Sequence, residues 1–162
     1  MENFPKITDV KFEEPKQEIP VRYTDLQGNF FTAVATLGGV VAATAGNYGR
    51  FFTVPFSCEV IEGWATWGTV GGASALVKVL KLSKNSVSIS AGTSVLSANF
   101  DITGTAGYPH RIKAQQALSA RSINAGDCLA LSATGMISAA NDINVTVLLR
   151  PANTQLSPTD IP

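Results

Sequence analysis

The stretch from Cys58 to Leu82, CEVIEGWATWGTVGGASALVKVLKL, decides the fold class of this 162-residue chain. Alternating β-branched and aromatic residues on both sides of a glycine-rich turn at 69–73 predict a β-hairpin. In its second strand, leucines lie on one face and Val77 and Val79 on the other, and apolar residues on both faces indicate cover on both sides. We expect a second copy of the chain to supply that cover, with Trp67, Val77 and Val79 at the interface.

The composition excludes several classes of function. The chain is 45% hydrophobic and only 15% charged, with a formal net charge of zero, whereas about a quarter of residues are charged in ordinary domains. A neutral chain resists self-association poorly and lacks the basic surface of a nucleic-acid binder. No apolar run approaches the roughly 18 residues of a membrane span, and no secretory leader is apparent. We therefore expect synthesis in the cytoplasm, without a membrane or nucleic-acid partner.

Two cysteines, Cys58 and Cys128, lie 70 positions apart and form no CxxC or zinc-binding pattern. A free cysteine behaves as a small core hydrophobe, and thiols stay reduced in the cytosol. Two buried free thiols are therefore favoured over a disulfide.

The N-terminal segment differs from the rest of the chain, because residues 1–25 hold 10 of the 24 charged residues. Pro5, Pro15 and Pro20 would interrupt a helix, so we interpret residues 1–28 as an extended arm. The arm is either a disordered tail or a docking element that anchors on a neighbour, and we favour docking. Its candidate interface residues are Phe4, Ile7, Val10, Phe12 and Tyr23.

The remaining chain divides into three segments. Residues 29–47, rich in small residues, form a connecting segment of two short extended pieces; residues 48–151 form the main domain; and residues 152–162 form an extended C-terminal tail. Turn signals at short intervals separate about eight to ten strands, with no convincing long amphipathic helix, which predicts an all-β antiparallel β-sandwich or jelly roll. Besides the hairpin, the predicted strands are 50–56, 87–90, 94–102, 111–120, 128–132 and 143–150.

Catalytic chemistry finds little support in the sequence. His110 is the single histidine and lies in a predicted loop, and no metal-binding or phosphate-binding motif is present. Glu59 and Glu62, three apart on a predicted strand, should face opposite sides and so cannot form a carboxylate pair together. We predict neither an enzyme nor a cofactor.

Five segments in this order, FFTVPFSCEVIEGWA, ALVKVLKL, AGTSVLSANFDI, INAGDCLAL and INVTVLLRP, resemble the β-sandwich bodies of tailed-bacteriophage virion proteins. The resemblance covers roughly residues 50–150 and is strongest to head decoration (cement) and fibre proteins. It implies a homotrimer on the capsid surface that clamps neighbouring major capsid proteins. It supplies no catalytic residue.

Two other functions remain open from the sequence. The chain is alternatively a fibre or tail-associated receptor-binding or carbohydrate-binding module, using Trp64 or Trp67 as a platform together with Asn99, Tyr108 and His110. A hydrolytic depolymerase would instead need a carboxylate cluster built around Asp101 or Asp127, for which no pattern is visible.

Overall fold

The computed structural model describes residues 30–37 and 47–152, which form a sandwich of two antiparallel β-sheets. This confirms the all-β fold class. The predicted arm, with its five candidate interface residues, lies outside the described residues, as does most of the predicted C-terminal tail. The strands are β1 Phe31–Leu37, β2 Asn47–Thr53, β3 Cys58–Thr66, β4 Leu76–Leu82, β5 Thr93–Ser94, β6 Phe100–Asp101, β7 His110–Lys113, β8 Ser122–Ile123, β9 Cys128–Thr134 and β10 Ile143–Pro151.

The two sheets are interleaved along the chain. The first sheet has the order β1-β10-β3-β7, with β8 also pairing with β3; the second has the order β2-β9-β4-β5, with β6 also pairing with β4. The predicted hairpin is therefore wrong as a pairing, although both of its strands exist. Strand β3 lies in the first sheet and β4 in the second, because the loop between them is long enough to cross the roughly 10 Å between sheets.

The core lies between the sheets and is built from alternate residues of the long strands. Val77 and Val79 are 0% and 1% exposed and belong to this core. The prediction that they form an intersubunit contact is corrected: their face of β4 packs against the chain's own first sheet. The described residues also place β1, within the predicted connecting segment, as an edge strand paired with β10 along its whole length.

Part of the outer face of the second sheet is covered by the chain itself. Leu82, Cys128 and Ala130 form a second, small apolar cluster, and Ile89 packs against it. Ile89 belongs to a 3₁₀ turn, Ile89–Ala91, where the sequence predicted a strand. The apolar outward face of β4 therefore did signal cover, and for Leu82 that cover is the segment following β4.

Two predicted strands are shorter than expected. The segment 94–102 forms strand only at its ends, as β5 and β6, and between them Leu96 makes an isolated antiparallel bridge with Ala114. Val95 and Leu96 are both buried, so the strand alternation breaks between them. The segment 111–120 supplies β7 and then enters a short helix, α1 Leu118–Arg121. In the part of the chain described, no helix has the length and apolarity to cross a membrane.

Candidate interaction surfaces

Trp67 lies inside the sandwich and is not available as a surface platform. It is 1% exposed, and its indole stacks on the imidazole of His110 with ring centroids 4.2 Å apart and planes inclined by 17°. Its Nε1 donates to the Gly104 carbonyl at 3.3 Å. The assignment of Trp67 to an interface or to a sugar platform is corrected, because its ring anchors the loop between β6 and β7.

Trp64 is the outward tryptophan of the pair, as expected for two residues three apart on a strand. It lies half-buried on the outer face of the first sheet. Strand register places it in a row with Val34, Thr146 and Arg111, through the pairs Val34↔Thr146, Thr146↔Trp64 and Trp64↔Arg111. Val34 is 56% exposed. This outer face is therefore a mixed apolar and charged surface.

A β-bulge changes which way the two glutamates point. The register of β3 against β10 shifts between Leu148 and Leu149, so one extra β3 residue separates Val60, a core residue, from Gly63. A Cβ on Gly63 would meet Leu96 and Phe100 in the core, which directs Glu62 outward. Glu59 also points outward, between two core neighbours. The prediction that these glutamates face opposite sides is therefore wrong, because a bulge interrupts the alternation.

Each glutamate is held by arginine. Glu62, although only 7% exposed, forms an ion pair with Arg111 on the neighbouring strand β7 and accepts a hydrogen bond from it. Glu59 Oε2 accepts from Arg150 Nη2 at 3.1 Å and lies 3.7 Å from Arg121 Nε. One carboxylate oxygen therefore serves two guanidinium groups, which leaves positive charge in excess around Glu59.

A cleft of about 310 Å³ opens at this point of the outer face. We call it the basic cleft. Three cationic side chains surround it against a single acidic one, and the glutamine amides on its wall can act as both donors and acceptors. Its lining residues are Glu59, Val60, Ile61, Lys113, Ala114, Gln115, Gln116, Arg121 and Arg150.

Arg121 is the incompletely satisfied member of the basic cleft. Its Nη1 donates to the Gln116 carbonyl at 3.4 Å, whereas its Nε is buried with no hydrogen-bond acceptor among the described residues. An unpaired buried donor is costly. This cost lies inside the fold, since the buried Nε is closed to solvent and its nearest charge partner is Glu59 Oε2 at 3.7 Å.

A group of phenylalanines lies at the end of the sandwich where β1 begins. The Phe31 ring contacts those of Phe52 and Phe56, with centroids 6.2 and 5.3 Å away. Phe30 and Phe56 are 48% and 46% exposed. Ala152 lies at the same end, where its N–H donates to the Ser57 carbonyl at 2.9 Å. Both terminal segments therefore join the body beside an exposed aromatic group.

The two acids considered for hydrolysis, Asp101 and Asp127, both accept hydrogen bonds from nearby backbone or side-chain groups. Asp101 accepts from the Thr103 hydroxyl at 2.6 Å and from its N–H at 3.0 Å, and these bonds lower the pKa of Asp101. Asp127 accepts from the N–H groups of Lys84 and Asn124. Residues 30–37 and 47–152 contain no group of three or more potential metal ligands.

Both cysteines are buried free thiols, the state that the sequence favoured. Burial raises the pKa of the Cys58 thiol to about 12, with a smaller contribution from the negative charge of Glu59. Cys58 is therefore protonated at neutral pH and acts as a core residue.

The sequence did not indicate the basic cleft. Its arginines come from α1 and β10, some 30 residues apart, and they meet Glu59 only through the pairings of β3 with β8 and β10. A usable signal was the presence of a charged residue, Glu59 or Arg150, within each of two strands rich in apolar residues.

Comparison with known proteins yields a fold relationship. No protein-family model matches the sequence, and no curated protein matches it. Among solved structures, a chain from the capsid of Ralstonia phage GP4 is similar with a TM-score of 0.57 and 13% identity, over 79% of this chain and 88% of that one. A chain from the capsid asymmetric unit of cyanophage Pam1 matches with a TM-score of 0.45 and 8% identity, over 76% and 84% of the two chains. At these identities the likeness is one of fold.

Proposed function

We propose that this chain is a structural protein of a bacteriophage virion that decorates the capsid surface. The observation that carries the proposal is the fold shared with a capsid chain of Ralstonia phage GP4. That alignment spans most of both chains, so the likeness is not confined to a part of either. The charge-poor composition agrees with a protein that works in a dense assembly.

The proposed mechanism is passive cementing. The protein is made in the host cytoplasm, forms a homotrimer on the shell and clamps neighbouring major capsid proteins. Phe4, Ile7, Val10, Phe12 and Tyr23 anchor the arm across a neighbour. Each buried Å² of apolar surface contributes about 25 cal/mol, and ordering the arm offsets much of this gain. Repetition over the shell then supplies avidity.

Body surfaces complement the arm in this proposal. The outer face of the first sheet, with Val34 and Trp64, and the aromatic group at Phe30 and Phe56 are partly exposed apolar surfaces. Buried aromatic anchors account for much of the affinity of protein interfaces. These surfaces replace Trp67, Val77 and Val79 as the body contacts.

The test measures occupancy on purified shells of the phage that encodes the protein. We expect the full chain to bind in a saturable manner at a fixed ratio to the major capsid protein. A variant lacking residues 1–25 should reach less than about a tenth of that occupancy at equal concentration. A drop of this size corresponds to a loss of at least about 1.4 kcal/mol of binding free energy. Cryo-electron microscopy of the decorated shell would show the copies grouped in threes.

A matched substitution controls for the deletion. Replacing Phe4, Ile7, Val10 and Phe12 together by alanine should lower occupancy nearly as far, whereas Val87→Ala, at a side chain 95% exposed on the body, should not. Unchanged occupancy of the deletion variant would refute the arm's role. Absence of saturable binding by the full chain would refute decoration.

A further inference from the structure

Charge is segregated between the arm and the body of this neutral chain. Residues 30–152 carry eight basic and five acidic residues, whereas residues 1–28 carry six acidic and four basic residues. The basic cleft is one of the positively charged parts of the body, because Lys113, Arg121 and Arg150 surround Glu59 there. The two parts are therefore electrostatically complementary, which favours their association and fixes its register.

The chemistry of the cleft selects a carboxylate ligand. Arg121 and Arg150 share one oxygen of Glu59, so a single carboxylate faces two guanidinium groups. Lys113 is exposed beside them and forms no ion pair within the described part of the chain. Guanidinium groups bind carboxylates with charge-assisted hydrogen bonds. A second carboxylate in the cleft would give these three cationic side chains a further anionic partner besides Glu59.

We infer that the basic cleft receives the acidic pair Glu13-Glu14 from the arm of a second copy of this chain. The two residues are the arm's adjacent carboxylates and lie next to Phe12. In this arrangement Phe12 lies against the mixed outer face of the first sheet while the carboxylates reach the guanidinium groups of the cleft. The exchange links neighbouring copies through charge and apolar contact together.

The length of the arm permits this exchange. Residues 15–29 reach up to about 50 Å when extended, and a body of this size is roughly 35 Å across. Phe31 pairs with Leu149, next to Arg150, so the arm leaves the body only a few strands from its own cleft. An extended arm of this length is longer than the body is wide, so it is long enough to reach the cleft of an adjacent copy. The high local concentration of copies on a shell favours the neighbour, and to this extent the inference rests on the proposed function.

A charge-reversal cycle on the full chain tests the contact in solution. Lys113→Glu should raise the dissociation constant for self-association at least about tenfold, and so should Glu13→Lys with Glu14→Lys. Mixing the two variants should restore association close to that of the unchanged protein, since reversed cleft then meets reversed arm. Sedimentation velocity at low and high salt measures this, and salt should weaken the wild-type contact. Lys78→Glu, on the second sheet, is the control and should change nothing.

Disulfide trapping gives a direct readout. Glu14→Cys in one tagged population, mixed with Gln116→Cys in an untagged population, should form a crosslinked pair under mild oxidation, because Gln116 is an exposed residue of the cleft. Lys78→Cys in place of Gln116→Cys should not crosslink. The native cysteines are buried and do not compete.

Three outcomes would overturn the inference. One is a self-association insensitive to both charge reversals, and a second is failure of the mixed variants to restore it. The third is a double variant, Glu14→Cys with Gln116→Cys, that crosslinks within its own chain while the two single-substitution populations do not crosslink to each other. Each variant is checked for an unchanged melting temperature. None of these measurements uses capsid shells, so their failure leaves decoration to be decided by occupancy.

Discussion

At the scale of single residues, Gly135 closes the turn after β9 against the loop between β3 and β4. Its φ is +76°, and a Cβ at this position would lie 2.0 Å from the Ser74 carbonyl oxygen. The neighbouring Met136 N–H donates to the Ala73 carbonyl, and the Gly72 N–H donates to the Met136 carbonyl. The glycine-rich turn that the sequence indicated is therefore clamped by a second turn, and only glycine fits at the contact.

We predict that Gly135→Ala lowers the free energy of unfolding by more than about 3 kcal/mol, because left-handed backbone strain of about 1–2 kcal/mol is added to a backbone clash. Gly107 is the matched control, with φ +77° and no atom within 4 Å of the place where a Cβ would lie. Gly107→Ala should lower the free energy of unfolding only by the backbone strain of about 1–2 kcal/mol. Urea unfolding of both variants measures the difference, and equal losses would show that the close approach to Ser74 is unimportant.

At the scale of elements, the segment after β4 acts as a cover for the second sheet. Ile89 packs on Leu82, Cys128 and Ala130, and a Cβ on Gly92 would come within 2.9 Å of the Leu80 Cβ. The segment therefore lies close to the sheet. It also receives a hydrogen bond from Arg50 of β2 to the Ser86 carbonyl.

We predict that Ile89→Ala lowers the free energy of unfolding by about 1–2 kcal/mol, less than a fully buried isoleucine would lose. Val87→Ala, two residues earlier at a side chain 95% exposed, should stay within about 0.5 kcal/mol of the unchanged protein. Thermal and urea unfolding measure both. If Ile89→Ala instead changed only self-association, the outer face would be covered by another copy and not by this segment.

The strands most readily predicted were those with period-two alternation. Ile143, Val145 and Val147 alternate with polar residues, and β10 begins at Ile143 and lies at the centre of the first sheet. An alternating pattern indicates that a residue is buried, but it does not identify the residues that bury it. Val77 and Val79 were therefore assigned to a contact with another subunit, whereas the opposite sheet of the same chain covers them. Partner choice depends on contacts far apart in the sequence, which local pattern does not encode.

The shared outward face of Glu59 and Glu62 was missed for a related reason. Predicting that Glu59 and Glu62 share a face required the bulge opposite Leu148 and Leu149, and one inserted residue reverses the alternation beyond it. The bulge has no composition signal in β3. The choice between Trp64 and Trp67 was equally undetermined, since only the loop that brings His110 over Trp67 identifies the buried ring.

At the scale of the whole molecule, the described core closes without the arm. Its buried apolar residues run from Ala33 to Leu149, within residues 30–37 and 47–152, and the two sheets are linked by Lys81 of β4, whose Nζ donates to the Ser122 carbonyl of β8 at 2.8 Å. Folding and docking should therefore be separable properties of one chain, with folding residing in the body and docking in the arm.

We predict that removing residues 1–29 shifts the melting temperature by less than about 4 °C, which for a body of this size corresponds to less than about 1 kcal/mol. Because the deletion removes two more acidic than basic residues, the truncated protein should also bind a cation-exchange resin more tightly at neutral pH. Calorimetry measures the first property and salt elution the second. A loss of more than about 10 °C would mean that the arm completes the core of its own chain. In that case, lower occupancy of a truncated protein on shells would reflect unfolding, and the alanine substitutions in the arm would become the deciding test of docking.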